Sequence, residues 1–122
     1  MIIVDTSVWI DHLKVGDPKL TELLESGRVL AHPFVTGEIA LGCLRQRSIV
    51  LAALRDLPQV TVASDDEVLM FIESGKLYSI GIGYVDAHLL TAAQLTPGVK
   101  IWTRDRRLRE ASMRLQLVAD LT

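Results

Sequence analysis

The chain has 122 residues, with 13 Lys+Arg against 15 Asp+Glu for a formal net charge of −2, and 49% of its residues are hydrophobic. That length suits one domain, residues 1–122, with one core. A mean hydropathy of +0.31 points to apolar surface covered by a partner or a second copy. No apolar run approaches the ~20 residues of a membrane helix, no secretory signal pattern opens the chain, and one cysteine excludes an intrachain disulfide and a cysteine-ligated zinc site, so the expectation is a cytoplasmic protein with no membrane role.

In chain order, residues 1–4 read as a buried strand, and Thr6 or Ser7 as the cap of a helix reaching about Lys14. Gly16 stops that helix. Asp17-Pro18 then pairs a capping residue with proline at the first helical position, and the helix it starts ends near Ser26-Gly27. Residues 28–31 form a short strand. Helices over about 34–45 and 48–57 follow, and Pro58 breaks the second. Residues 60–63 read as a third strand.

Ser64 and Glu67 match a capping box that opens a helix to about Lys76. The glycine-punctuated stretch 77–83 reads as a loop. A helix over 84–95 ends at Thr96-Pro97-Gly98. Residues 99–103 form a fourth strand, 105–115 a helix, and 117–119 a last edge strand. Alternation of this kind predicts an α/β fold with a central parallel sheet of four to five strands, covered by helices on both faces.

Four acids stand where a plain core has no use for them. Asp5 ends the first strand, Glu38 lies inside an apolar helix, Asp86 shares a helix face with Leu90 and Ala93, and Asp105 follows the fourth strand. Each has a plainer explanation taken alone. Asp5 and Asp105 suit helix N-caps, Glu38 the wet edge of an apolar stripe, and Asp86 the positive end of a helix dipole. Together they suggest more, because parallel strands bring their carboxyl ends to one edge, where α/β folds bind ligands. Four converging carboxylates suit magnesium or manganese, which prefer oxygen ligands, and such ions cut phosphodiesters with activated water. Removing those four acids leaves 13 basic against 11 acidic residues, and the arginines after Trp102 form a local basic run able to meet phosphate or simply to be solvated.

Other chemistries find less support. His12, His32 and His88 are scattered and read as surface or packing residues, and Cys43 as a buried small residue. Trp9 and Trp102 read as core. There is no nucleophile elbow and no glycine-rich phosphate loop. An aspartyl-phosphate enzyme calls for a second aspartate two residues after Asp5, where Ser7 stands. Thr6, Ser7 and Thr103 could donate to the acids or to a phosphate, or serve as turn and cap residues.

At these acids the chain resembles the PIN-domain family, and within it the VapC-type toxins of type II toxin–antitoxin pairs. The likeness is carried by Ile3-Val4-Asp5-Thr6-Ser7-Val8-Trp9-Ile10, Thr36-Gly37-Glu38-Ile39-Ala40-Leu41-Gly42, Tyr84-Val85-Asp86-Ala87-His88-Leu89-Leu90 and Trp102-Thr103-Arg104-Asp105-Arg106-Arg107-Leu108. Each motif is short, and all four in order are specific. The resemblance implies a PIN-like three-layer α/β/α domain and a magnesium-dependent endoribonuclease, with manganese as substitute. Asp5, Glu38, Asp86 and Asp105 map onto the family's catalytic, metal-holding quartet, and Thr6 and Thr103 onto supporting hydroxyls. Arg104, Arg106 and Arg107 are candidates to hold the RNA backbone. The resemblance also implies a homodimer and a cognate antitoxin. The competing reading is a non-catalytic PIN-like module that binds RNA or protein, and metal-dependent cleavage separates the two.

Overall fold

The computed structural model describes residues 1–121. Its elements in chain order are β1 (Ile2–Val4), α1 (Thr6–Val15), α2 (Pro18–Glu25), β2 (Val29–Leu30), α3 (Pro33–Ala40), α4 (Arg47–Asp56), α5 (Asp65–Ser74), α6 (Tyr84–Leu95), β3 (Lys100–Trp102) and α7 (Arg106–Arg114). Among the described residues the sheet has three strands in the order β2-β1-β3, all parallel. Ile3 is the hinge of the register, opposite Leu30 on one side and Ile101 on the other.

Every residue of β1 is buried, which an edge or one-sided strand could not achieve, so helices cover both faces in an α/β/α arrangement. Leu20, Leu23, Leu89, Leu90, Ile101 and Leu108 are the large side chains that fill the space around it. Helix α6 is buried continuously from Ala87 to Ala93. A helix buried on every side over seven successive residues lies inside the fold.

Two of the expected strands shrink to single parallel bridges, Ala31 with Gln59 and Ile101 with Val118. Pro58 has no N–H to give a ladder. Beyond it Val60 and Ala63 are buried while Thr61 and Val62 are exposed, a spacing that cannot hold a strand's alternation. Counting those bridges, five chain segments line up where four to five strands were expected, three of them true strands.

The expected helix over 34–45 also ends early, at Ala40. Leu41 is 90% exposed, so nothing apolar anchors another turn. The Arg47 guanidinium donates to the carbonyls of Ala40 and Gly42 and closes the end. Gln46 takes a left-handed φ of 51° before α4. Cys43 lies in this connection and is exposed, contrary to the burial expected of it. Two caps follow the sequence: Asp17 Oδ1 accepts from Lys19 N and Leu20 N, and Ser64 and Glu67 close a reciprocal box.

Candidate active site

β1 and β3 are neighbours that end level with each other, so the residues after them leave the sheet together. The Asp5 amide donates to the Trp102 carbonyl at 2.9 Å. Asp5, rather than Thr6 or Ser7, occupies the N-cap position of α1, the plainer role open to it, yet its carboxylate caps nothing. Its Oδ2 instead accepts two hydroxyls, Ser7 Oγ at 2.8 Å and Thr103 Oγ1 at 2.8 Å. Oδ1 takes no hydrogen bond among the described residues, although Asp5 is only 7% exposed.

Glu38 rides α3 at its solvent edge, between the buried Val35 and Ile39, and Thr6 Oγ1 donates to its Oε1 at 2.7 Å. Asp86 stands in the first turn of α6, half-buried, with Oδ2 accepting the Gly83 amide at 3.2 Å. Asp105 does act as an N-cap: its Oδ1 accepts from Leu108 N at 2.9 Å. One oxygen of that carboxylate therefore serves α7.

The four acids share one field. Burial raises the Asp86 carboxyl above its ordinary value, the Gly83 amide opposes that, and the charges of Asp5, Asp105 and Glu38 raise it further. None of the four is ion-paired among the described residues. The group is open: among the described residues no three His, Cys, Asp or Glu side chains are closed around a point that could hold an ion. In donor chemistry the quartet fits a hard divalent cation, being all oxygen, negative and unneutralised.

The PIN domain model matches residues 2–112, a span that takes in all four acids. The chain belongs to the PIN-domain family. It is also similar to Ribonuclease VapC32 of Mycobacterium tuberculosis, in strain CDC 1551 / Oshkosh and in strain ATCC 25618 / H37Rv. Each relative is 47% identical over 111 residues, covering 91% of this chain and 90% of the relative.

In this PIN domain the three candidate arginines, Arg104, Arg106 and Arg107, behave differently. Arg104 is ion-paired to Asp11 at 2.6 Å and to Asp17, and its guanidinium carbon lies 5.6 Å from the Trp102 ring centre. The Asp17 carboxyl is held low by the Leu20 amide first and by Arg104 as well, against the opposing effect of burial. Arg106 is exposed and stands 3.9 Å from Glu110, one turn along. Arg107 packs where a side chain on Gly81 would stand, and Gly81 has a φ of +84°.

The PIN domain also holds a pair of buried histidines that sequence spacing gives no way to pair. His32 and His88 are each 1% exposed, with ring centres 6.3 Å apart. His32 Nδ1 accepts from Phe34 N and caps α3, so the neutral ring carries its proton on Nε2. Burial, and then the charge of His88, lower the His32 pKa to about 4. His88 Nε2 lies 3.7 Å from Asp65, which also accepts from the Tyr84 hydroxyl. Both rings pack, as expected of them, but their partners come from α3, α5 and α6 through the fold.

Proposed function

We propose that this PIN domain is a magnesium-dependent endoribonuclease, with manganese as substitute, acting as the toxin of a type II toxin–antitoxin pair. What carries the reading is that Asp86 is half-buried and within the field of Asp5, Asp105 and Glu38, and that none of the four is paired with a cation among the described residues. The ribonuclease name of the relatives supports the substrate class.

Asp5, Glu38, Asp86 and Asp105 would hold the cation, which when bound supplies a nucleophilic water at neutral pH and charge relief for the leaving oxygen. The chain's own groups orient those acids. Ser7 and Thr103 fix one oxygen of Asp5 and leave the other without a hydrogen bond among the described residues, Thr6 fixes Glu38, and the Gly83 amide fixes Asp86. Arg106 and Arg107, on the first turn of α7 next to Asp105, would meet the RNA backbone.

A groove of about 300 Å³ between α1 and α3 is lined by Ile10, Leu13, Ile39 and Leu44, and it runs up to Glu38. Its position supports an antitoxin segment lying over it and reaching the acids. Exposed Leu69 and Met70 of α5 and Leu95 of α6 supply apolar surface for a homodimer. No helix among the described residues is long and apolar enough to cross a membrane; the proposed site of action is the cytoplasm.

The test is cleavage of a structured RNA by purified protein with magnesium or manganese against chelator. Asp86→Asn is expected to lose more than ~100-fold in rate, beyond the loss typical of an outer-shell partner. RNA binding without cutting in any metal would favour a binding module. Cutting that persists with chelator and in Asp86→Asn would remove the mechanism.

A further inference from the structure

The turn between β3 and α7 sends two backbone N–H groups toward one carboxylate oxygen. The Arg104 amide donates to Ser7 Oγ at 3.0 Å, and the Asp105 amide donates to Thr103 Oγ1 at 3.0 Å. Each hydroxyl then gives its one proton to Asp5 Oδ2. Ser7 Oγ and Thr103 Oγ1 also lie 3.3 Å apart, but with both protons already directed at Asp5 that contact needs none. The polarity of both arms is therefore fixed: amide to hydroxyl to carboxylate.

This arrangement depends on where the turn sits, and the Arg104 side chain ties the turn to α1 and α2. Its two ends grip Asp11 on α1 and Asp17, the N-cap of α2. The Asp17 amide is itself held by His12 Nδ1 at 2.9 Å. Two carboxylates on one guanidinium leave the cluster with a net negative charge and no positive charge to offer a phosphate, which is unlike Arg106, whose contact with Glu110 is long and exposed.

We propose that Arg104 is a positioning residue for the metal site: clamped by Asp11 and Asp17, it holds the β3–α7 turn so that its own amide orders Ser7, and Ser7 with Thr103 aims the free oxygen of Asp5 into the cleft. The inference rests on the quartet holding a divalent ion, and it takes Arg104 out of the RNA-binding set. Partners of this kind typically change metal affinity 10–100-fold when removed.

The test is Mn2+ titration of RNA-free protein followed by electron paramagnetic resonance. It is paired with binding of a short single-stranded RNA in chelator over a range of salt. Arg104→Met is expected to weaken Mn2+ binding about tenfold. The double variant Asp11→Asn, Asp17→Asn, which leaves Arg104 in place and keeps a good cap on α2, is expected to weaken it in the same direction. Arg104→Lys should restore part of the loss. The salt slope of RNA binding should not change.

A phosphate contact by Arg104 makes the opposite demands. Mn2+ affinity would stay put, Arg104→Met would flatten the salt slope by about one phosphate, and freeing the guanidinium with the double variant would tighten RNA binding. That result overturns the proposal. Should Arg104→Met fail to fold, the double variant decides alone. Absence of Mn2+ binding by the unsubstituted protein would bring down the metal-site reading and this proposal with it. Normal binding there, with every variant equally tight, would bring down the proposal only.

Discussion

Asp5 and Asp105 occupy the same kind of position, the residue between a strand's end and a helix's first turn, and the fold uses them differently. Asp105 caps its helix through Leu108 N, while Asp5 faces two hydroxyls that arrive from Ser7 and from Thr103 across the sheet. Capping propensity is the same for both, so the outcome is set by the neighbours. His32 is a residue whose neighbours give a measurable consequence. Its pKa of about 4 lies below the ordinary 6.5, so between those values the unfolded chain binds more protons than the folded one. Stability should rise with pH across that window and be lost as pH falls from about 6.5 to 4. Urea unfolding at pH 7.5 and 4.5 should show a drop about 2 kcal/mol larger than in His32→Asn, which keeps a capping side chain. Equal drops in both proteins would mean that His32 takes up its proton in the folded chain as readily as in the unfolded one, so that burial does not lower its pKa.

At the scale of elements, α5 provides a control that stands apart from the acids. Its capping box satisfies two backbone donors at once, the Glu67 amide and the Ser64 amide. Ser64→Ala should cost about 1 kcal/mol in denaturant unfolding while the cleavage rate per folded molecule stays the same. A fall in rate would tie α5 to catalysis. This box and the Asp17 cap were legible because they are local, set by residues within three positions of one another. So were the burial of β1 and the alternation that makes the sheet parallel. The end of α3 was not legible, because the sequence runs on apolar through Leu41 and the stop comes from Arg47 reaching back. Nor was the loss of the strand over 60–63, where Thr61 and Val62 both face water and break the alternation. The four acids could be picked out one by one, since each breaks a local pattern. The Arg104 clamp and the histidine pair break none; the first appears only when α1, the start of α2 and the β3–α7 turn are brought together, the second only when the start of α3 meets α6.

Across the whole molecule, the acids gather at one edge of the sheet while the arginines of α7 lie beside it, so a chain of net charge −2 presents local fields of both signs. An acidic cluster of this kind opposes folding in the absence of a counter-ion, because charges held near one another in the fold are far apart and solvated in the unfolded chain. Ion binding should reverse that. At free Mn2+ about 100 times its dissociation constant, the linkage relation gives about 2.7 kcal/mol of added stability, seen as a higher melting midpoint. Asp86→Asn keeps the shape of the side chain and an acceptor for the Gly83 amide while removing the carboxylate most crowded by the others. Without metal it should melt higher than the unsubstituted protein, and with Mn2+ it should gain little. An unsubstituted protein indifferent to Mn2+, or an Asp86→Asn variant that responds equally, would mean that the quartet does not bind the ion. The two melts together separate the charge strain from the ion that relieves it, since strain alone predicts the first difference and only ion binding at these acids predicts the second.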